Sequence, residues 1–162
     1  LRHLLMSGTE NPDKRSERLA AIRLKAMDLL ARREHSVLEL QRKLGIKFPD
    51  DTALVEDVIS ALQENNLQSD ERFAEAFVSS RFSKGQGPCR ISMELRQRGV
   101  GEWLINQVLE SNEFEWGQLA RNVLRKKYGE SPCVDYKERS RRSHFLHYRG
   151  FTMEQISACF DR

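Results

Sequence analysis

Glycine and proline are scarce in this 162-residue chain, at 9 and 4 residues. That excludes a collagen-like repeat, a Gly/Ser linker protein and a mucin-like stalk. No apolar run approaches the roughly 18 residues of a membrane span, and no stretch sustains the alternation of a half-buried strand. Cysteines number only three, Cys89, Cys133 and Cys159, widely spaced and without a C-x-x-C pair. They read as reduced thiols in a cytoplasmic protein. Residues 1–10 hold few apolar side chains and no small-residue cleavage site, which does not fit a secretory signal. Residues 1–17 are expected to be a mobile tail.

Charge is abundant and nearly balanced, with 27 Lys+Arg against 24 Asp+Glu, so its placement says more than its sum. Eight acids and one base, Arg72, fall between Asp50 and Glu75. From Arg81 to Arg98 there are five bases and only Glu94, and from Arg121 to Arg149 nine bases against three acids. Blocks of opposite sign in one small protein point to a patterned docking surface for nucleic acid, an acidic protein groove, or both. Solvated helix faces are the plainer reading of any single block.

The apolar residues follow helical spacing. Leu19, Ile22, Ala26, Leu29 and Leu30 form one stripe; Leu54, Val55, Val58, Ile59 and Leu62 form a second. Trp116, Leu119, Ala120, Val123, Leu124 and Tyr128 form a third. Ser36-Val-Leu-Glu39 and Thr152-Met-Glu-Gln155 read as capping boxes, and Pro88 sits where a first-turn N–H would be unpaired anyway. The chain is expected to be all-α.

Self-comparison supplies the architecture. At an offset of 51, Leu95, Arg98, Gly99, Val100, Ile105, Val108 and Leu109 fall on Leu146, Arg149, Gly150, Phe151, Ile156, Cys159 and Phe160. At 46, Phe73, Ala74, Phe77, Val78 and Phe82 fall on Leu119, Ala120, Val123, Leu124 and Tyr128. A looser first copy sets Leu40 against Leu95, and Val58 and Leu62 against Ile105 and Leu109. We therefore expect three tandem three-helix repeats, about nine helices, over 18–66, 67–114 and 115–162. Units this small cannot bury a large core alone, so they should stack into an elongated, curved array.

The run Leu67-Gln-Ser-Asp-Glu-Arg-Phe-Ala-Glu-Ala-Phe-Val-Ser-Ser-Arg81, with Lys84-Gly-Gln-Gly-Pro88 and Ile91-Ser-Met-Glu-Leu-Arg-Gln-Arg-Gly-Val100, strongly resembles the RecX family of RecA recombinase regulators. Arg33-Glu-His-Ser36 with Glu39-Leu-Gln-Arg-Lys-Leu44 resembles its first-repeat signature, and Phe145-Leu-His-Tyr-Arg-Gly-Phe151 its third. The resemblance covers about residues 18–162. It implies a cytoplasmic, monomeric protein that binds the groove of the RecA–DNA filament and restrains its growth, ATPase, strand exchange and coprotease activity. The expected partners are the RecA filament and single- or double-stranded DNA, with no membrane.

No cofactor, metal or enzymatic activity is expected. The Gly85-Gln-Gly-Pro88 turn exposes backbone amides, but lacks the preceding strand and Gly-Lys-Ser/Thr ending of a nucleotide loop. His144 and His147 lie one turn apart, among Arg141, Arg142 and Arg149, which repel a divalent cation. Cys89 has no base beside it, and nothing assembles a nucleophile, a base and an oxyanion site. The alternative reading is a helix-turn-helix protein acting on DNA directly, but the third helices hold no Lys or Arg to offer bases and phosphates. Partner binding is expected at Arg81, Lys84, Arg90, Arg96 and Arg98, and at Lys126, Lys127, Arg139, Arg141, Arg142 and Arg149. The family motif covers Arg81, Lys84, Arg98 and Arg149; the rest follow from charge clustering. Left-handed C-caps are expected at Gly99 and Gly150.

Overall fold

The computed structural model describes Gly8 and residues 10–161. Among these residues are nine α-helices and no strand. They are α1 (Pro12–Arg32), α2 (Val37–Lys47), α3 (Thr52–Glu64), α4 (Asp70–Ser83), α5 (Pro88–Gln97), α6 (Glu102–Leu109), α7 (Trp116–Tyr128), α8 (Tyr136–Arg149) and α9 (Met153–Ala158). They group in threes, and the third helix of each group packs on both of the others. The chain is thus all-α and built from repeated three-helix domains. The described residues divide into two compact units between Ser69 and Asp70, so the second and third helix triplets share one unit.

Residues 12–17, expected to belong to a mobile tail, are helical. Asn11 Oδ1 accepts from the Asp13 N–H at 3.1 Å, Pro12 takes the first helical position, and Asp13 complements the helix dipole. These local signals start α1 well ahead of its apolar stripe, which begins at Leu19. Residues 1–7 and 9 of the expected tail lie outside the described residues.

Each triplet closes around its own apolar cluster. The internal repeats are visible in burial: Ala74 and Ala120 are inaccessible to solvent, as are Leu95 and Leu146. Truncating either leucine to alanine would cost about 2–5 kcal/mol. The turn after the middle helix is also repeated bond for bond. Val100 N–H donates to Leu95 C=O at 3.1 Å and Phe151 N–H to Leu146 C=O at 3.2 Å, with φ of +79° at Gly99 and +96° at Gly150. Both glycines thus hold the left-handed conformation that other residues avoid. Trp116 departs from its expected place in the third core. From the first position of α7 it packs back on the cluster of α4–α6, its Nε1–H donating to Leu109 C=O at 2.9 Å. Its ring centroid lies 5.3 Å from Phe82 and 5.6 Å from Phe114.

In the first unit, the start of α2 is held by a polar network. Ser36 and Glu39 form the expected capping box, and Arg33 grips Glu39 through two hydrogen bonds of 3.0 and 2.8 Å. His35 is 1% exposed. Its Nδ1–H donates to Arg33 C=O at 3.0 Å, leaving Nε2 to accept from Lys43 Nζ at 3.0 Å. Gln68, also buried, donates to His35 C=O at 3.2 Å. Residues 67–69 therefore finish the first unit, although the sequence pattern assigns them to the second repeat.

The second unit is fastened by a junction between α5 and α8. Gly87 N–H donates to Arg149 C=O and Cys89 N–H to Gly150 C=O, both at 2.8 Å. The amides expected to stand exposed around Gly87-Pro88 are thus occupied by the last carbonyls of α8. A Cβ at Gly87 would collide with the Gly150 carbonyl, and one at Gly150 with Arg90.

Two outcomes follow from these features. Gly87→Ala should lower unfolding stability in urea by about 1–3 kcal/mol, the usual cost of forcing atoms into a packed contact. Gly117→Ala, in α7 with nothing within 4 Å of the added carbon, should be neutral or slightly stabilising. The second outcome concerns pH. Burial, reinforced by the charges of Arg33 and Lys43, depresses the His35 pKa below its ordinary value of 6.5. Between 6.5 and the lower folded value the unfolded chain binds the extra proton, so stability falls as pH drops through that window. The urea midpoint should decline from pH 7.5 to 5.5 in the native chain, and less steeply in His35→Asn.

Candidate functional site

The bases singled out by sequence divide into two groups once their neighbours are known. Arg81 is half-buried, with Nε 3.1 Å from Glu94 Oε2 and its guanidinium 4.6 Å from the Phe77 ring centroid. Arg98 covers the same ring at 4.7 Å and donates to Glu94 C=O at 3.0 Å. Arg90 reaches Glu94 at 3.8 Å and lies over Tyr148. Arg96 is bound through two nitrogens to Glu102, with the Nη2–Oε2 contact at 3.2 Å. That pairing holds the Arg96 guanidinium above, and the Glu102 carboxyl below, their ordinary pKa values. In the middle repeat, therefore, four arginines have acidic or aromatic neighbours within the fold. Glu94, which the charge count does not single out, organises three of them, Arg81 and Arg90 through its carboxylate and Arg98 through its backbone carbonyl. Its signal was present, since it is the lone acid in a basic stretch and lies four residues from Arg90 on one helix face.

Arg142, expected to meet a partner, lies inside the fold. It is 5% exposed, bound to Glu138 at 2.6 Å and to Ser131 C=O at 3.1 Å, with its guanidinium 5.1 Å from the Tyr128 ring centroid. Its long side chain turns inward because Glu138 one turn earlier and the 129–135 loop supply a carboxylate and a carbonyl. A cation so held is withdrawn from the surface that a macromolecular partner would meet. Arg139 lies over Phe160 at 5.1 Å, and Arg141 is exposed.

The remaining bases converge. Lys84 from the α4–α5 turn, Lys126 and Lys127 from α7, and Arg149 from the end of α8 line one groove with Gly85, Val123 and Phe145. No Asp or Glu lines it. The α5–α8 junction sets its geometry, since Arg149 supplies a carbonyl to Gly87 and an Nη1 donor to Lys84 C=O at 3.2 Å. Gly85, with φ +78°, lets the turn approach Val123 closely. Lys127 Nζ and the Arg149 guanidinium lie 4.8 and 5.3 Å from the Phe145 ring centroid, while Lys84 and Lys126 are exposed. Four cations without a lining carboxylate make a concave surface of one sign of charge. Phe145 was not singled out, because its ring reads as core until Lys127 and Arg149 are found over it.

Among the described residues no group of three His, Cys, Asp or Glu side chains is arranged to hold a metal ion, and no helix is long and apolar enough to cross a membrane. α3, α6 and α9 carry no Lys or Arg, so the positions a recognition helix would occupy offer no positive charge to DNA.

Comparison with known proteins bears on the helix triplets and the fold. Residues 69–109 match the family model for the second three-helix domain of RecX, and residues 115–160 that for the third. The chain is 46% identical over 138 residues to the regulatory protein RecX of Halorhodospira halophila, covering 85% of each. It is 43% identical over 136 residues to that of Pseudomonas putida F1, covering 84% of this chain and 86% of the relative. A crystal structure of RecX from Lactobacillus salivarius superposes with a TM-score of 0.74 at 16% identity, over 89% of this chain and 95% of the other. A second, of a regulatory protein RecX, gives 0.75 at 24% over 98% and 82%. The crystal structures share the fold, and the first-listed relatives share sequence across most of both chains, so the triplets α4–α6 and α7–α9 are RecX domains and the chain belongs to the RecX family.

Proposed function

We propose that this protein is a regulator of the RecA recombinase that docks in the groove of the RecA–DNA filament and restrains filament growth, ATP turnover, strand exchange and coprotease activity. Relatives at 40–46% identity are named regulatory protein RecX, which supports the regulatory part of this reading. The observation that carries the docking part is the carboxylate-free groove of Lys84, Lys126, Lys127 and Arg149. Such a groove attracts the phosphates of filament-bound DNA or carboxylates of the recombinase, and electrostatic steering speeds encounter with either. Repeated helix triplets give several attachment points along a polymer, and each tethered contact raises the effective concentration of the next. The function is binding rather than catalysis, and the partner is a protein–DNA polymer in the cytoplasm.

Lys84→Glu with Lys126→Glu should weaken binding to RecA filaments on single-stranded DNA by about tenfold or more, with a matching rise in the concentration that halves RecA ATP turnover. The helical circular dichroism signal should be unchanged, because both side chains are exposed. Native binding should weaken as salt rises, since the Debye length contracts from ~10 Å at 0.1 M to ~3 Å at 1 M. Filament affinity unmoved by both the reversal and salt would exclude the groove as the docking site. Arg81→Glu is expected to differ, lowering stability by setting a carboxylate against Glu94 and leaving the Phe77 face uncovered.

A further inference from the structure

A second cavity, of about 660 Å³, lies in the third helix triplet and shares no lining residue with the basic groove. Arg121 and Arg125 of α7, Arg139 and Arg142 of α8, and the 129–135 loop bound it, with Cys159 and Phe160 closing one side. These four arginines share the lining with three acids, Glu130, Asp135 and Asp161, and among the described residues only Arg125 and Arg142 of the four have a carboxylate partner. The Asp135 carboxylate is occupied capping α8, accepting from Glu138 N–H at 2.7 Å. Glu130 is 84% exposed and only 3.7 Å from Arg125, and Glu138 is committed to Arg142. Asp161 also lines the cavity. Among the described residues neither Arg121 nor Arg139 forms an ion pair. A separate observation concerns the buried Arg142. Its two terminal nitrogens are satisfied, but Nε is buried with no hydrogen-bond partner, an arrangement that native structures seldom leave uncompensated.

We propose that this cavity binds the phosphate group of a small phosphate ester. Donors on several separate guanidiniums call for an anion with more than two acceptor oxygens, which a tetrahedral phosphate offers and a single carboxylate does not. Guanidinium also suits phosphate through its paired donors. The volume exceeds that of a bare phosphate and falls in the range of small-molecule sites. The exposed Tyr136 and Val134 at the wall give an organic group an apolar surface. Occupancy would join α7, α8 and the loop at one point, and this site is independent of docking in the basic groove.

Cys159 reports on occupancy, because its thiol lines the cavity. In the full chain with Cys89→Ser and Cys133→Ser, Cys159 is the sole thiol. Pyrophosphate at ten times its dissociation constant should slow iodoacetamide alkylation of Cys159 about tenfold, relative to sodium chloride of equal ionic strength. ATP should protect at the same or lower concentration. Arg121→Gln with Arg139→Gln should raise the half-protecting concentration by about tenfold or more, with the helical signal retained. Lys84→Glu with Lys126→Glu should leave it unchanged. Alkylation equally fast in pyrophosphate and chloride would overturn the site, as would protection that survives the Arg121/Arg139 change or disappears with the Lys84/Lys126 change. Protection by pyrophosphate but not ATP would overturn the assignment of an ester.

Discussion

The second unit depends on the meeting of two helix ends. The first amides of α5 and the last carbonyls of α8 have no partners within their own helices, and here each set satisfies the other through the Gly87–Arg149 and Cys89–Gly150 bonds. The positive end of one helix dipole thereby faces the negative end of the other. This contact requires two backbones to approach more closely than side chains would allow, so both positions are glycine. It also sets the groove. Arg149, fixed by its carbonyl, reaches Lys84, and the turn carrying Lys84 comes to rest beside α7.

That constraint separates the structural bases from those available to a partner. Arg81, Arg90 and Arg98 lie around Glu94, Phe77 and Tyr148, where guanidinium planarity lets one side chain meet both an oxygen acceptor and a ring. Arg142 goes further and is buried, compensated by Glu138, Ser131 and Tyr128. Lysine, a compact charge on a flexible stem, carries most of the open groove. Exposed ion pairs such as Arg96–Glu102 add little stability in water; their consequence is that a guanidinium already holding a carboxylate is less available to a second anion.

The acidic third helices fit the same division. They pack on both other helices of their triplets and contribute apolar side chains to each core, while their outward positions bear no basic charge. The cations sit instead on first and second helices and the turns between them, which suits a protein that docks on a polymer more than one that reads a base sequence.

The helical class, the threefold internal repeat, the two capping boxes and the left-handed glycines were legible from sequence, because each depends on residues within a few positions of one another or on a copied pattern. The Asn11-Pro12-Asp13 start was legible by the same local rules but was obscured by the absence of an apolar stripe before Leu19. The proposed docking groove was half legible: its chain segments stood out as basic, yet eleven bases looked alike. Which of them remained open was decided by carboxylates and rings brought near in the fold. Arg149 meets Lys84, 65 residues earlier, and charge counting cannot see such a neighbour. Sequence determined the local hydrogen-bond geometry and the amount of positive charge; tertiary structure alone decided where that charge was cancelled, because Coulomb attraction and desolvation act through distance in space rather than separation along the chain.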